Sequence, residues 1–201
     1  MTTKKSRKKR ELILEAALKR LMKYGYAKTT ISEIAADVGL TKTGIYHYYA
    51  SKEALVLVIA DTMFERYMKG MRTICDSDRP VAQKLIDLID LRENMVTGIF
   101  EEYETLFEDM LLVLPIIRER KEHYDATVVA MLKQMLTKAH KTGEIVVDDP
   151  NAFANLFMLL MSATDLNHYN RDEEKVLRCP QQDIISEFKN LILRGTTRHD
   201  A

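Results

Sequence analysis

Apolar residues recur at intervals of three and four along most of this chain, and no segment alternates with the period of two that a half-buried strand requires. The sharpest punctuation lies between Thr29 and Leu55. Thr30-Ile31-Ser32-Glu33 has the form of a capping box, in which hydroxyl and carboxylate each bond the other residue's backbone amide, so a helix begins near Ile31. Ile31, Ile34, Ala35 and Val38 share one face of it, and Gly39 stops it. Thr41 is a second N-cap, opening a helix over about Lys42 to Tyr49, with apolar Leu40 tucked into the core between them. Ser51 caps a third, which runs to about Ile74 on Leu55, Val58, Ile59, Met63, Phe64 and Tyr67. Asp76-Ser77-Asp78-Arg79-Pro80 is the clearest break. Helices are then predicted over Val81 to Leu91, Asn94 to Val113, Pro115 to His140, Pro150 to Asn167 and Gln181 to Leu193, with Gly143 ending one of them. The expectation is an all-α protein of nine or ten helices.

In the Lys42 to Tyr49 segment, Ile45 and Tyr49 are four apart and face inward, leaving Lys42, Thr43, Tyr46, His47 and Tyr48 around the outside. That surface is polar, aromatic and cationic. Gly44 costs a helix about 1 kcal/mol relative to alanine, and a close approach to another surface is a reason to keep it. Lys52 at the start of the next helix sets a cation beside free amides, which suits a phosphate. The alternative for Tyr46 and Tyr48 is an ordinary half-buried aromatic, and for His47 a solvated surface imidazole. No neighbouring Cys or His makes His47 a metal ligand.

The helix after Pro150 is apolar on nearly every side, with Ala152, Phe153, Ala154, Leu156, Phe157, Met158, Leu159, Leu160, Met161 and Ala163 interrupted only by Asn155 and Ser162. Such a helix must be buried all round, which a second copy of the chain or a cover by Gln181 to Leu193 would achieve. Val128, Val129, Leu132, Met135, Leu136 and Ala139 form a stripe that could join a four-helix interface between copies.

Charge changes the picture more than composition does. The net charge is zero, yet residues 1 to 52 hold 12 Lys and Arg against 4 Asp and Glu, and the remainder holds 18 against 26. Lys4-Lys5-Ser6-Arg7-Lys8-Lys9-Arg10 reads either as a basic arm along phosphates or in a minor groove, or as a solubilising tail. No run approaches the roughly eighteen apolar residues of a membrane span, and no signal peptide is evident, so a cytoplasmic location is expected. Two cysteines, Cys75 and Cys179, make no disulfide framework. Neither metal nor other cofactor is expected: the five histidines are scattered, and metal-ligand spacings, nucleophile elbows and Walker loops are absent, so an enzyme is not expected.

The ordered series Thr29-Thr30-Ile31, Ile34-Ala35-Ala36-Asp37-Val38-Gly39-Leu40-Thr41, Ile45-Tyr46-His47-Tyr48-Tyr49 and Ser51-Lys52-Glu53-Ala54-Leu55 resembles the DNA-binding domain of TetR-family transcriptional regulators. Ala16-Ala17-Leu18 to Tyr24-Gly25-Tyr26 is similar to the end of that family's first helix, and the likeness spans about residues 10 to 56. The family often has glycine at the place of Thr43 and a larger residue at that of Gly44. The resemblance implies an N-terminal three-helix DNA-binding domain with a helix-turn-helix, taken as residues 1–52, and a larger helical regulatory and dimerisation domain over 53–201. It also implies a homodimer on a double-stranded, palindromic operator, and a repressor released when an unidentified small-molecule effector binds.

Within that frame Lys42, Thr43, Gly44 and His47 are expected to face bases or the groove floor, and Thr30, Tyr46, Tyr48 and Lys52 to hold phosphates. Met95, Phe100, Tyr103, Phe107, Met110, Leu111, His123, Met131 and Met158 are expected to line the effector pocket, since methionine and aromatics suit adaptable apolar cavities. For each of these the alternative is plain core. Glu101, Glu104 and Asp109 would attract a cationic ligand if buried. The competing class is a helical protein-protein adaptor or ligand-binding protein without specific DNA binding.

Overall fold

A computed structural model describes residues 4–102, 109–169 and 181–196, without the side chains of 99–102, 110, 164–169, 181 and 196. Eight helices account for the described residues: α1 (Lys4–Lys28), α2 (Ile31–Asp37), α3 (Lys42–Tyr46), α4 (Lys52–Cys75), α5 (Val81–Glu102), α6 (Met110–Thr142), α7 (Pro150–Tyr169) and α8 (Gln181–Thr196). The chain divides into two units, Met1–Glu65 with Ile99–Glu122, and Arg66–Gly98 with His123–Ala201.

In the first unit, α1 buries Ile13, Ala17 and Leu21, one residue per turn. Gly25 interrupts it at φ 78°, a backbone state that a side chain would strain. The buried Thr29 hydroxyl then donates to the Gly25 carbonyl at 2.7 Å, closing the turn into α2. Ile13, Ala17, Ile31, Ile34, Ala35, Ile45, Tyr49 and Leu55 make one core from all four helices, and burying each isoleucine there contributes about 1.5–3 kcal/mol.

α2 and α3 form as their sequence signals require. The Thr30 hydroxyl accepts from the Glu33 amide at 3.3 Å, and the Glu33 carboxylate accepts from the Thr30 amide at 2.9 Å. α2 ends in Gly39, at φ 64°, with the Leu40 amide bonded to the Ala35 carbonyl and the Gly39 amide to that of Ala36, a Schellman closure. Thr41 caps α3 by accepting the Gly44 amide at 3.0 Å. Ser51 caps α4 through the Ala54 amide at 3.2 Å. α3 itself is shorter than the periodicity suggests, since only a turn carries the backbone from His47 to Tyr49.

In the second unit Tyr67, Met68, Met71, Leu85, Leu88, Ile89, Leu132, Leu136, Phe157 and Phe188 belong to a single core, and the Phe157 and Phe188 rings lie 5.4 Å apart. Arg92 is buried there, its guanidinium 5.4 Å from the centre of the Tyr67 ring. Glu144 accepts the Val81 amide at 2.6 Å, satisfying a free donor at the start of α5.

Four expectations need correction. The backbone passes through Arg92 and Glu93 without a break, so α5 is one helix to Glu102. Pro115 lies inside α6, which begins five residues earlier at Met110. The basic segment from Lys4, read as an arm or a solubilising tail ahead of the first helix, is itself the start of α1. The stripe Val128, Leu132, Met135, Leu136 and Ala139 is covered by the unit's own core and is not open to a second chain. Periodicity locates an apolar face but does not say which surface covers it.

Candidate nucleic-acid interface

α3 sits on the first unit with Ile45 fully buried. At about 100° per residue, Lys42, Tyr46, Thr43 and His47 span an arc of roughly 140° on the side away from Ile45. All four are exposed. The fold thus presents a short face carrying an ammonium, a hydroxyl, a phenol and an imidazole.

Gly44 lies off this arc. A Cβ built on it would stand 3.3 Å from the Thr41 hydroxyl oxygen and 3.6 Å from Leu40 Cβ, so the close neighbour found for this glycine is its own turn. Tyr48 is half-buried and Tyr49 buried. The Arg10 guanidinium lies 6.0 Å and 5.5 Å from the centres of these two rings, and the Tyr49 hydroxyl donates to the Arg10 carbonyl at 3.1 Å. Thr30 is exposed, but its hydroxyl is occupied by the capping box and also donates to Glu33 at 2.7 Å.

Lys52 has a different setting from the open one expected for a phosphate contact. Its ammonium donates to the carbonyls of Tyr26 at 2.8 Å and Thr29 at 3.0 Å, committing two of its three donors. It also lies 3.8 Å from the centre of the Tyr26 ring. The Tyr26 hydroxyl donates to Glu53 at 2.7 Å. Burial and that carboxylate push the phenol up to about 12, while bonds from Ser51 and then Tyr26 hold Glu53 below its ordinary value. From another direction Asp109, just before α6, accepts the Ala27 amide at 2.7 Å.

Arg20 of α1 grips both ends of α2. It pairs bidentately with Asp37, the second of these bonds spanning 2.8 Å, and reaches Glu33 at 3.3 Å. Asp37 ends α2, where the helix dipole disfavours a carboxylate, and the guanidinium offsets that. It lowers the Asp37 carboxyl, whereas Glu33 is lowered first by its bonds with Thr30.

Sequence reasoning assigned no role to Arg20, Tyr26, Glu53 or this use of Asp109, and placed Arg10 only in the basic segment. Their partners lie 13 to 82 residues away, beyond any local pattern.

Of the residues expected to line an effector pocket, Met158 is buried and Met95 and Met131 are partly buried against the same core. Leu111, 86% exposed, and the exposed His123 stand apart from it. The side chains of Phe100, Tyr103, Phe107 and Met110 lie outside the described residues, as do those of Glu101 and Glu104. A cleft of about 370 Å³ opens between the α4–α5 turn, with Cys75 and Asp76, and the end of α6. Among the described candidates only Met131 borders it. Burial pushes the Cys75 thiol up, away from thiolate reactivity. No group of three His, Cys, Asp or Glu placed to hold a metal occurs among the described residues.

Two packed helices, a Schellman turn between them and an exposed second helix define a helix-turn-helix unit in an all-α chain. Residues 13–59 match the model of bacterial regulatory proteins, tetR family, so that segment is of the tetR-family type. It is 36% identical over 66 residues to YerO of Bacillus subtilis (strain 168), an uncharacterized HTH-type transcriptional regulator. That match takes in 33% of this chain and 23% of YerO, so the chain spans about a quarter of that relative's length. To RutR of Escherichia coli (strain K12), an HTH-type transcriptional regulator, it is 22% identical over 193 residues, covering 93% of this chain and 90% of RutR. A crystal structure of a transcriptional regulator from Cytophaga hutchinsonii superimposes with a TM-score of 0.73 at 22% identity, covering 94% and 99% of the two chains. These relatives are regulators and not enzymes.

Proposed function

We propose that this protein is a sequence-specific DNA-binding transcriptional regulator, a repressor that leaves its operator when a small molecule binds residues beyond the helix-turn-helix. The observation that carries the reading is the exposed arc of Lys42, Thr43, Tyr46 and His47 opposite buried Ile45. Such a face, narrow and rich in donors, suits a major groove. Lys42, Thr43 and His47 read base edges, and Tyr46 meets a phosphate. Thr30, Gly44, Tyr48 and Lys52 act by holding α3 in place. Residues 1–52 form the reading part and 53–201 the regulatory part, and the protein works in the cytoplasm, where its DNA is.

Dimerisation is supported by α7. Ala154, Phe157, Met158 and Met161 are buried, while Ala152, Asn155, Leu156, Leu159, Leu160 and Ala163 form an exposed stripe on the helix. α8 packs Phe188 against Phe157 and leaves Leu191 exposed. The exposed stripe is the surface for a second copy, whose two-fold symmetry would set two α3 helices on a palindromic operator. Among the described residues no helix is long and apolar enough to cross a membrane.

Met95, Met131 and Met158 support an effector pocket on their shared core. An effector acts only through its different affinity for the two conformations, and tenfold release needs about 1.4 kcal/mol of coupling.

Selection of bound duplexes from a random library tests the reading. The wild-type chain should enrich one two-fold-related sequence, and His47→Ala should change the base preferred at a position in each half. Recovery of no common sequence would favour the adaptor class. An unchanged preference in His47→Ala would remove that residue from the base-reading set.

A further inference from the structure

Gly25, at φ 78°, breaks the spiral of α1 shortly before its end, and amides just past such a break stand like those of a helix start, without a preceding turn of carbonyls. The junction from α1 into α2 is closed by other parts of the first unit. The Gly25 carbonyl accepts the Thr29 hydroxyl, and the carbonyls of Tyr26 and Thr29 accept the Lys52 ammonium. The Ala27 amide donates to Asp109 Oδ2 at 2.7 Å, across 82 residues of chain.

Asp109 stands where α6 begins. Its own carbonyl accepts the Leu112 and Val113 amides at 2.8 and 3.1 Å, so it occupies the N-cap place of that helix. An aspartate there ordinarily turns its carboxylate back onto the next free amides. Here Oδ2 is given to Ala27. A local preference set aside for a distant bond marks a residue whose role lies at the far end of that bond. The helix behind it is firmly seated: Val113 is buried with Leu21, Val56 and Ile59, Ile116 and Ile117 pack on that group, and Arg120 pairs with Asp61 at 3.5 Å. Residues Ile99–Glu122 accordingly group with Met1–Glu65 in one unit.

We propose that Asp109 is a positioning residue for DNA reading, whose bond to the Ala27 amide fixes the α1–α2 junction and through it the face of α3. This rests on the reading of the chain as a DNA-binding regulator. Ile31, Ile34 and Ala35 of α2 share one core with Ile45 of α3, so a displaced junction displaces Lys42, Thr43, Tyr46 and His47 as well. Lys52 holds the carbonyls of the junction and Asp109 its amide. Without Asp109 the junction is held from one side only, and the conformation that fits an operator is populated for a fraction of the time. Operator affinity falls by that fraction. Phosphate contacts, which every sequence offers alike, tolerate the loosened face.

The test uses the full chain with Asp109→Ala, which removes the acceptor, and with Asp109→Asn, whose amide oxygen can accept the same bond. Both variants lose the same negative charge, so a difference between them is not a difference in attraction to DNA. Affinity is measured for the selected operator and for a random duplex of equal length at the same salt, and hydrogen exchange is followed at the Ala27 amide. Asp109→Ala should bind the operator about tenfold more weakly, as a competent fraction of about one tenth requires. Its affinity for the random duplex should stay within about twofold of that of Asp109→Asn, and Ala27 should exchange faster than in the wild type. Asp109→Asn should keep the wild-type ratio of operator to random affinity and the wild-type exchange at Ala27. A merely structural carboxylate would lower the melting temperature of Asp109→Ala and leave the ratio unchanged, which would overturn the proposal. Equal losses on both duplexes, or an Asp109→Asn variant as impaired as Asp109→Ala, would overturn it too. Should Asp109→Ala fail to fold, Asp109→Asn and the wild type decide: Ala27 exchanging as fast as an exposed amide in either would sink the bond. A wild type that selects no operator would instead overturn the underlying reading.

Discussion

The Lys52 ammonium lies 3.8 Å from the centre of the Tyr26 ring and donates to the Tyr26 carbonyl at 2.8 Å. With its second bond, to Thr29, it ties the first residue of α4 to the junction between α1 and α2. The cation closes the helix-turn-helix unit on itself, which fixes where α3 stands.

Lys52→Met should therefore lower stability by about 1–3 kcal/mol in chemical denaturation, the range for hydrogen bonds from a charged donor, here partly buried. The salt dependence of operator binding should stay as in the wild type. A flattened slope with unchanged stability would mean that the ammonium serves a phosphate after all.

Gly44→Ala should change stability by less than about 1 kcal/mol. The helix-propensity gain opposes the tight approach of a Cβ to the Thr41 hydroxyl oxygen, 3.3 Å away. Because that Cβ faces the protein's own turn, the preferred operator should be unaltered. A shifted preference in library selection would show that the backbone at Gly44 meets the groove floor.

Acid should loosen the first unit. Glu33, Asp37 and Glu53 are all held below their ordinary values, so the folded state favours their ionised forms. Their contribution is complete above the ordinary value of 4.5 for glutamate and disappears as pH falls below it. Thermal melts at pH 7 and at steps below 4.5 would check this. The double variant Glu33→Gln with Asp37→Asn should be less stable at pH 7 and should lose less on acidification. The effect will be modest, since both carboxylates are exposed.

Leu159→Glu should leave the chain folded, because Leu159 is 66% exposed. Sedimentation should nevertheless show a shift from dimer to monomer, and operator affinity should fall as the two half-sites cease to be bound together. A variant still dimeric at micromolar concentration would place the interface elsewhere.

The local grammar of the helix-turn-helix was legible because its signals act over three or four residues. Thr30 and Glu33, Gly39, Thr41 and Ser51 each satisfy or terminate a backbone within one turn, and each does so as its residue type requires. The α5 and α6 boundaries were not legible. Pro115 and the polar Arg92-Glu93 resemble stops locally, but the surrounding packing carries each helix through.

By itself the sequence determined the helical class, the four caps of the reading unit, the inward pair Ile45 and Tyr49, and the concentration of positive charge before residue 53. Only the tertiary structure decided what Lys52, Arg10 and Asp109 are bonded to, that the Val128 to Ala139 stripe is internal, and that Leu156, Leu159 and Leu160 remain open. Caps and periodicity are written in neighbouring residues, whereas a charged side chain's partner depends on which distant backbone the folded core brings within about 3 Å of it.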